Sequence, residues 1–158
     1  MTPRIEKLKE KRLIGQSLNM SLSNNRTKQL WEKFAPRIKE IENRLSPNKI
    51  SMQIYPLSYY EEFSPNKEFK KWATVEVENY NDIPNGMEVF TLEEGLYAIF
   101  DYKGSSSDNS IFHYIFSKWL PSSKYEIDDR PHFEVLGEKY KNNDVNSEEK
   151  IWIPIKEK

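Results

Sequence analysis

Gln53-Ile54-Tyr55 with Trp72 downstream, and Phe133-Glu134-Val135 with Trp152 downstream, occur at nearly the same internal separation in the two halves of the chain. The patterns around them match as well. His132-Phe133-Glu134-Val135-Leu136 reads as a short strand, and Ile151, Ile153 and Ile155 alternate with Trp152 and Pro154 in another. In the first half the corresponding pair is Ile50-Ser51-Met52-Gln53-Ile54-Tyr55 and residues 69–77, where Ala73, Val75 and Val77 alternate with Trp72, Thr74 and Glu76. Alternation of period two puts successive side chains on opposite faces of a sheet.

Outward from these strands lie two helical patterns. Leu30, Trp31, Phe34, Ile38, Ile41 and Leu45 follow the capping run Ser23-Asn24-Asn25, mostly at gaps of three and four residues, and predict an amphipathic helix over about residues 26–45. Pro36 should kink it by removing a backbone donor, and Ser46-Pro47-Asn48 ends it. Ile111, Phe112, Ile115, Phe116, Trp119 and Leu120 predict a second helix over about 108–120, stopped by Pro121. A strand precedes each helix, over residues 4–20 and 96–102, with a further strand-like piece at 87–90. Pro84-Asn85-Gly86 punctuates the connection between halves, while residues 57–67 and 137–150 read as polar loops. The predicted class is α+β. Tandem βαββ repeats, about 3–80 and 85–157 of a single domain over 1–158, are related by a pseudo-twofold, and their antiparallel sheets form a cleft or barrel-like ligand pocket.

Composition narrows the chemistry. The 158 residues include no Cys, which removes thiol nucleophiles, cysteine metal sites and disulfide staples and favours a reducing, cytoplasmic setting. His113 and His132 are the two histidines, too few for the usual zinc sets, and each reads as a structural residue; no metal or cofactor is expected. Lys+Arg 24 against Asp+Glu 25 is the wrong balance for a phosphate backbone, so nucleic acid is not an expected partner. No apolar run approaches the length of a membrane span, and the first residues lack the apolar core of a signal peptide. Aromatic residues make up 13% of the chain, enough for both a core and a pocket for flat ligands.

Several runs, in their order and spacing, resemble the GyrI-like small-molecule-binding family. They are Leu30-Trp31-Glu32-Lys33-Phe34, Glu94-Gly95-Leu96-Tyr97-Ala98-Ile99-Phe100, Trp119-Leu120-Pro121, Lys124-Tyr125-Glu126, Arg130-Pro131-His132-Phe133-Glu134-Val135-Leu136-Gly137 and Ile151-Trp152-Ile153-Pro154-Ile155. The family also supplies effector-binding domains to AraC-type and MerR-type transcription regulators. The resemblance implies a tandem βαββ fold with a hydrophobic, often multidrug-accommodating pocket between the halves. Without a helix-turn-helix region, the chain looks like a stand-alone member.

The resemblance puts the acidic anchor of that pocket at Glu134. A carboxylate on an aromatic wall carries a desolvation cost that a cation or strong donor offsets, so such a residue selects cationic or donor-bearing ligands. Tyr55, Trp72, Tyr97, Phe100, Tyr114 and Trp152, on or near strands, are the rings expected to line the pocket with it. Trp31, Phe34, Phe112, Phe116 and Trp119 sit on apolar helix faces and read as core. The leading function is a non-catalytic binder of small aromatic molecules, cationic ones included, acting as a sensor or sequestration module. Two alternatives stand beside it. One is a hydrolase of reactive electrophiles using Glu134 with Tyr55 or Tyr97; the other is a protein-partner module such as a topoisomerase inhibitor.

Overall fold

The computed structural model describes residues 2–158. The single strand expected over 4–20 is two, β1 (Arg4–Leu8) and β2 (Lys11–Met20), separated by the charged pair Lys9-Glu10. They are followed by helix α1 (Thr27–Phe34), β3 (Lys49–Ile54), β4 (Phe69–Val77), β5 (Glu88–Leu92) and β6 (Gly95–Lys103). Helix α2 (Ser110–Tyr114) runs through a π-helical turn (Ile115–Trp119) into α3 (Leu120–Ser122), and β7 (Tyr125–Ile127), β8 (His132–Leu136) and β9 (Glu148–Glu157) close the chain. β7 lies in a segment that carried no strand pattern, and β9 begins inside the expected 137–150 loop.

The first helix is shorter than its apolar spacing suggests. α-Helix ends at Phe34 and a 3₁₀ turn, Ala35–Glu40, replaces the rest, with Pro36 in its first turn. Proline lacks an N–H and clashes with the carbonyl four residues back, so it is accommodated at the start of a new turn and not inside an old one. Ile41 is extended yet fully buried, which is why its apolar identity mimicked a continuing helix. Each helix start is supported from just ahead: Asn25 accepts the Thr27 N–H at 2.9 Å, and Asp108 accepts that of Ser110 at 2.9 Å.

The architecture is the expected α+β one, and the two halves join edge to edge in one open sheet. Strand order is β1-β6-β9-β8-β3-β4-β2-β5, antiparallel at every step, with β7 added beside β9. The order is symmetric about the β3–β8 pair when β1, β2, β3 and β4 are matched to β5, β6, β8 and β9. The leading strand of each half pairs into the other half. Two residues link β1 to β2, a reach of about 11 Å over Leu8 to Lys11. In a flat sheet, first and seventh positions would be about 29 Å apart. The sheet therefore curls until its edges approach, although β1 and β5 do not pair with each other and it stays open.

Curling divides the core by face. One face packs on itself through Leu8, Leu13, Met52, Trp72, Leu92, Tyr97 and Phe133, contributed by both halves. The other carries the helices: α1 with its 3₁₀ extension covers β2 and β4 through Leu30, Phe34, Ile38 and Ile41, while α2 and the turn beyond it cover β6 and β9 through Ile111 and Ile115. Between the two helical layers lies the central pair, β3 and β8.

Candidate functional site

Pairing register decides what the central strip presents. Across the helix-bearing face, one row runs Gln16, Ala73, Ser51, Glu134, Ile151 and Phe100, and the next runs Leu18, Lys71, Gln53 and His132. The flanks of these rows are apolar and helix-covered. Their middle is polar: Ser51, Gln53 and His132 are 3%, 6% and 6% exposed, and Gln16 at the β2 end of its row is 4% exposed. Burying three polar side chains on the central pair of strands gives away apolar packing, so the strip marks a place where stability has yielded to another requirement.

Register also corrects the internal repeat. Met52 pairs with Trp72 and Phe133 with Trp152, so Met52-Gln53-Ile54 is the counterpart of Phe133-Glu134-Val135. The correspondence drawn from sequence is one residue out. Since one step moves a side chain to the opposite face, the residue matched to Glu134 is Gln53, not Ile54.

Aromatic rings roof the strip. The Tyr55 ring lies 4.6 Å from Tyr59, 5.6 Å from Tyr60, 5.2 Å from Phe69 and 5.0 Å edge-on from His132. Tyr60 reaches across to Phe116 on the second helix at 6.0 Å, so the 57–67 loop bridges from one half to the other. Lys67 donates from Nζ to the Ser58 carbonyl and holds the ends of that loop together. Burial drives the Tyr55 hydroxyl well above its usual pKa, which keeps it a proton-bearing donor.

Glu134 sits under this roof with a second carboxyl in reach. Burial raises its pKa, opposed by the Lys71 charge and a hydrogen bond with Glu149 at the start of β9. Burial, the Glu134 charge and that same bond push Glu149 up to about 8. Two carboxyls so placed cannot both ionise cheaply, so the pair holds one proton through neutral pH. Tyr140 stands close enough to feel both charges.

The seven rings and acids expected together are not one cluster. Glu134 and Tyr55 share the strip. Trp72, Tyr97 and Trp152 belong to the opposite face, where Tyr97 packs on Phe133 at 5.3 Å and Trp152 stacks on Phe133 at 5.0 Å. Each is an odd step along its strand from the residues facing the helices. Phe100 is on the correct face but sealed under the second helix, 5.2 Å from Trp119, and Tyr114 packs into that same layer. Phe116, expected as core, reaches the roof. Tyr60, Tyr140 and Glu149 come from segments read as polar loops and Gln53 and Lys71 from expected strands, and their convergence depends on pairing between strands far apart in sequence.

Nearby, Arg130 has a structural task. Its guanidinium donates to Asp128 at 2.7 Å and to the carbonyls of Leu96 and Ile155 at 2.6 and 3.1 Å, and lies 4.7 Å over the Tyr97 ring. The loop entering β8 is thereby fastened to β6 and β9.

A family model described as Cass2, integron-associated effector binding protein, matches residues 4–155. The transcriptional regulator BrlR of Pseudomonas aeruginosa is 30% identical over 145 residues, covering 90% of this chain. The chain spans 51% of that relative's length. Among solved structures, SAV2435 bound to tetraphenylphosphonium aligns over 99% of this chain and 94% of its own, with TM-score 0.71 and 18% identity. The C-terminal domain of EcmrR aligns over 99% and 98%, with TM-score 0.72 and 9% identity. At such identities the likeness is one of fold.

Proposed function

Because the chain belongs to the family of integron-associated effector binding proteins, a ligand-binding fold shared with transcription regulators, we propose that its central strip binds small aromatic cations. Glu134 is the anchor, and Tyr55, Tyr60 and Phe116 supply the rings. The observation that carries this reading is the half-buried Glu134 carboxyl on a strip roofed by aromatics, with Glu149 hydrogen-bonded to it. Cation–ring contacts add about 0.5–2 kcal/mol each where water is excluded. Binding without chemistry, as sensor or sequestering module, is the proposed outcome.

Tetraphenylphosphonium, the ligand named for SAV2435, is a suitable probe, with triphenylphosphine oxide as a neutral companion. Calorimetric titration of wild type and Glu134→Gln should show the cation weakened by about 1.5–3 kcal/mol, the worth of a hydrogen bond or contact to a charged group, and the neutral compound barely affected. A cation displaces the shared proton, so its affinity should rise as pH passes through the value of about 8 assigned to Glu149. Equal cation affinities for both proteins at every pH would remove Glu134 from the site.

A further inference from the structure

One cavity lies to the side of Glu134, which does not line it. It encloses about 660 Å³ where the ends of β3 and β5 meet the loop from β7 to β8. Its walls include Ile54, Tyr55, Tyr60 and Phe90, and its rim carries Glu93, Glu126, Asp128 and Asp129. Arg130, the one cation in the lining, is engaged by Asp128 and two carbonyls. Lys156 reaches Glu126 at 3.9 Å from outside the lining, whereas Glu93 and Asp129 form no ion pair among the described residues.

His132 makes this more than an acidic surface. It lines the cavity and is 6% exposed, yet among the described residues its imidazole makes no hydrogen bond. Burial, helped by the Arg130 charge, lowers its pKa to about 3, so at neutral pH one ring nitrogen is a bare acceptor. An imidazole acceptor with no protein partner at the cavity wall, beside aromatic rings and near an anionic rim, suits a ligand that brings both a donor and a positive charge.

We propose that this cavity is a second ligand site, for protonated organic amines with an apolar body: the ammonium N–H donates to His132 beneath the Glu93 and Asp129 rim, and the body lies against Tyr55, Tyr60 and Phe90. It differs from the Glu134 strip in requiring an N–H donor, which a quaternary cation lacks. The cavity adjoins the strip and shares Tyr55, Tyr60 and His132 with it, but the assignment does not need Glu134.

The test uses phenethylammonium and its quaternary analogue, trimethyl-phenethylammonium, on the intact chain carrying ¹⁵N-labelled histidine. Phenethylammonium should shift the His132 imidazole resonance saturably, and the quaternary analogue should bind at least tenfold more weakly. The double variant Glu93→Gln/Asp129→Asn, both positions exposed, should weaken the phenethylammonium titration read at His132 about tenfold with the fold unchanged, a larger loss at that resonance than Glu134→Gln gives. Equal affinity for the two cations overturns the proposal, as does no binding at millimolar concentration. An amine lost with Glu134→Gln but indifferent to the rim variant would place it on the strip and equally overturn a second site.

Discussion

At the residue scale, the central strip joins groups whose titrations oppose one another. The pKa of Glu149 is raised from 4.5 to about 8 on folding, so its contribution to stability is complete below about 4.5 and lost as pH rises through 8. His132 falls from 6.5 to about 3, so its contribution is present above 6.5 and lost as pH falls towards 3. Their slopes cancel between about 4.5 and 6.5, and thermal melts should show a plateau there, declining on both sides. Glu149→Gln should flatten the alkaline decline and His132→Asn the acid one. A melting temperature in Glu149→Gln that still falls as steeply as wild type between pH 7 and 9 would mean that the carboxyl pair shares no proton.

Strands and helices show where local rules yielded. Gly15 on β2 faces Thr74 on β4, and a Cβ placed there would come 1.9 Å from the Ala73 carbonyl oxygen, a backbone atom with no room to retreat. Gly15→Ala should destabilise the protein by about 1–3 kcal/mol or more, whereas Gly137→Ala, whose Cβ would meet the Asn48 side chain at 3.4 Å, should be mild. Chemical denaturation of both variants checks this, and equal midpoints would show that the two strands separate at no cost. Pro36 was visible in the sequence as a disturbance of the helix. That it converts the remainder to a 3₁₀ turn could not be read there, because Ile38 and Ile41 are buried in either conformation.

For the whole molecule, exchange of β1 and β5 between the halves makes them interdependent. Without β1, the edge of β6 is bare; without β5, that of β2 is. Fragments 2–80 and 85–158, expressed apart, should lack cooperative melting, and the full chain should unfold in one transition. Either fragment melting cooperatively on its own would contradict this. Among the described residues no helix is long and apolar enough to cross a membrane. The sequence by itself determined the α+β class and the twofold repetition, because periods of two and of three to four are local and survive any arrangement of neighbours; the family resemblance, not periodicity, singled out Glu134. Tertiary structure alone decided which faces meet. Pairing register sends Trp72, Tyr97 and Trp152 away from Glu134, brings Glu149 and Lys71 to it, and joins the two halves in one curled sheet. A side chain's face depends on a strand tens of residues away, and one step of register reverses it.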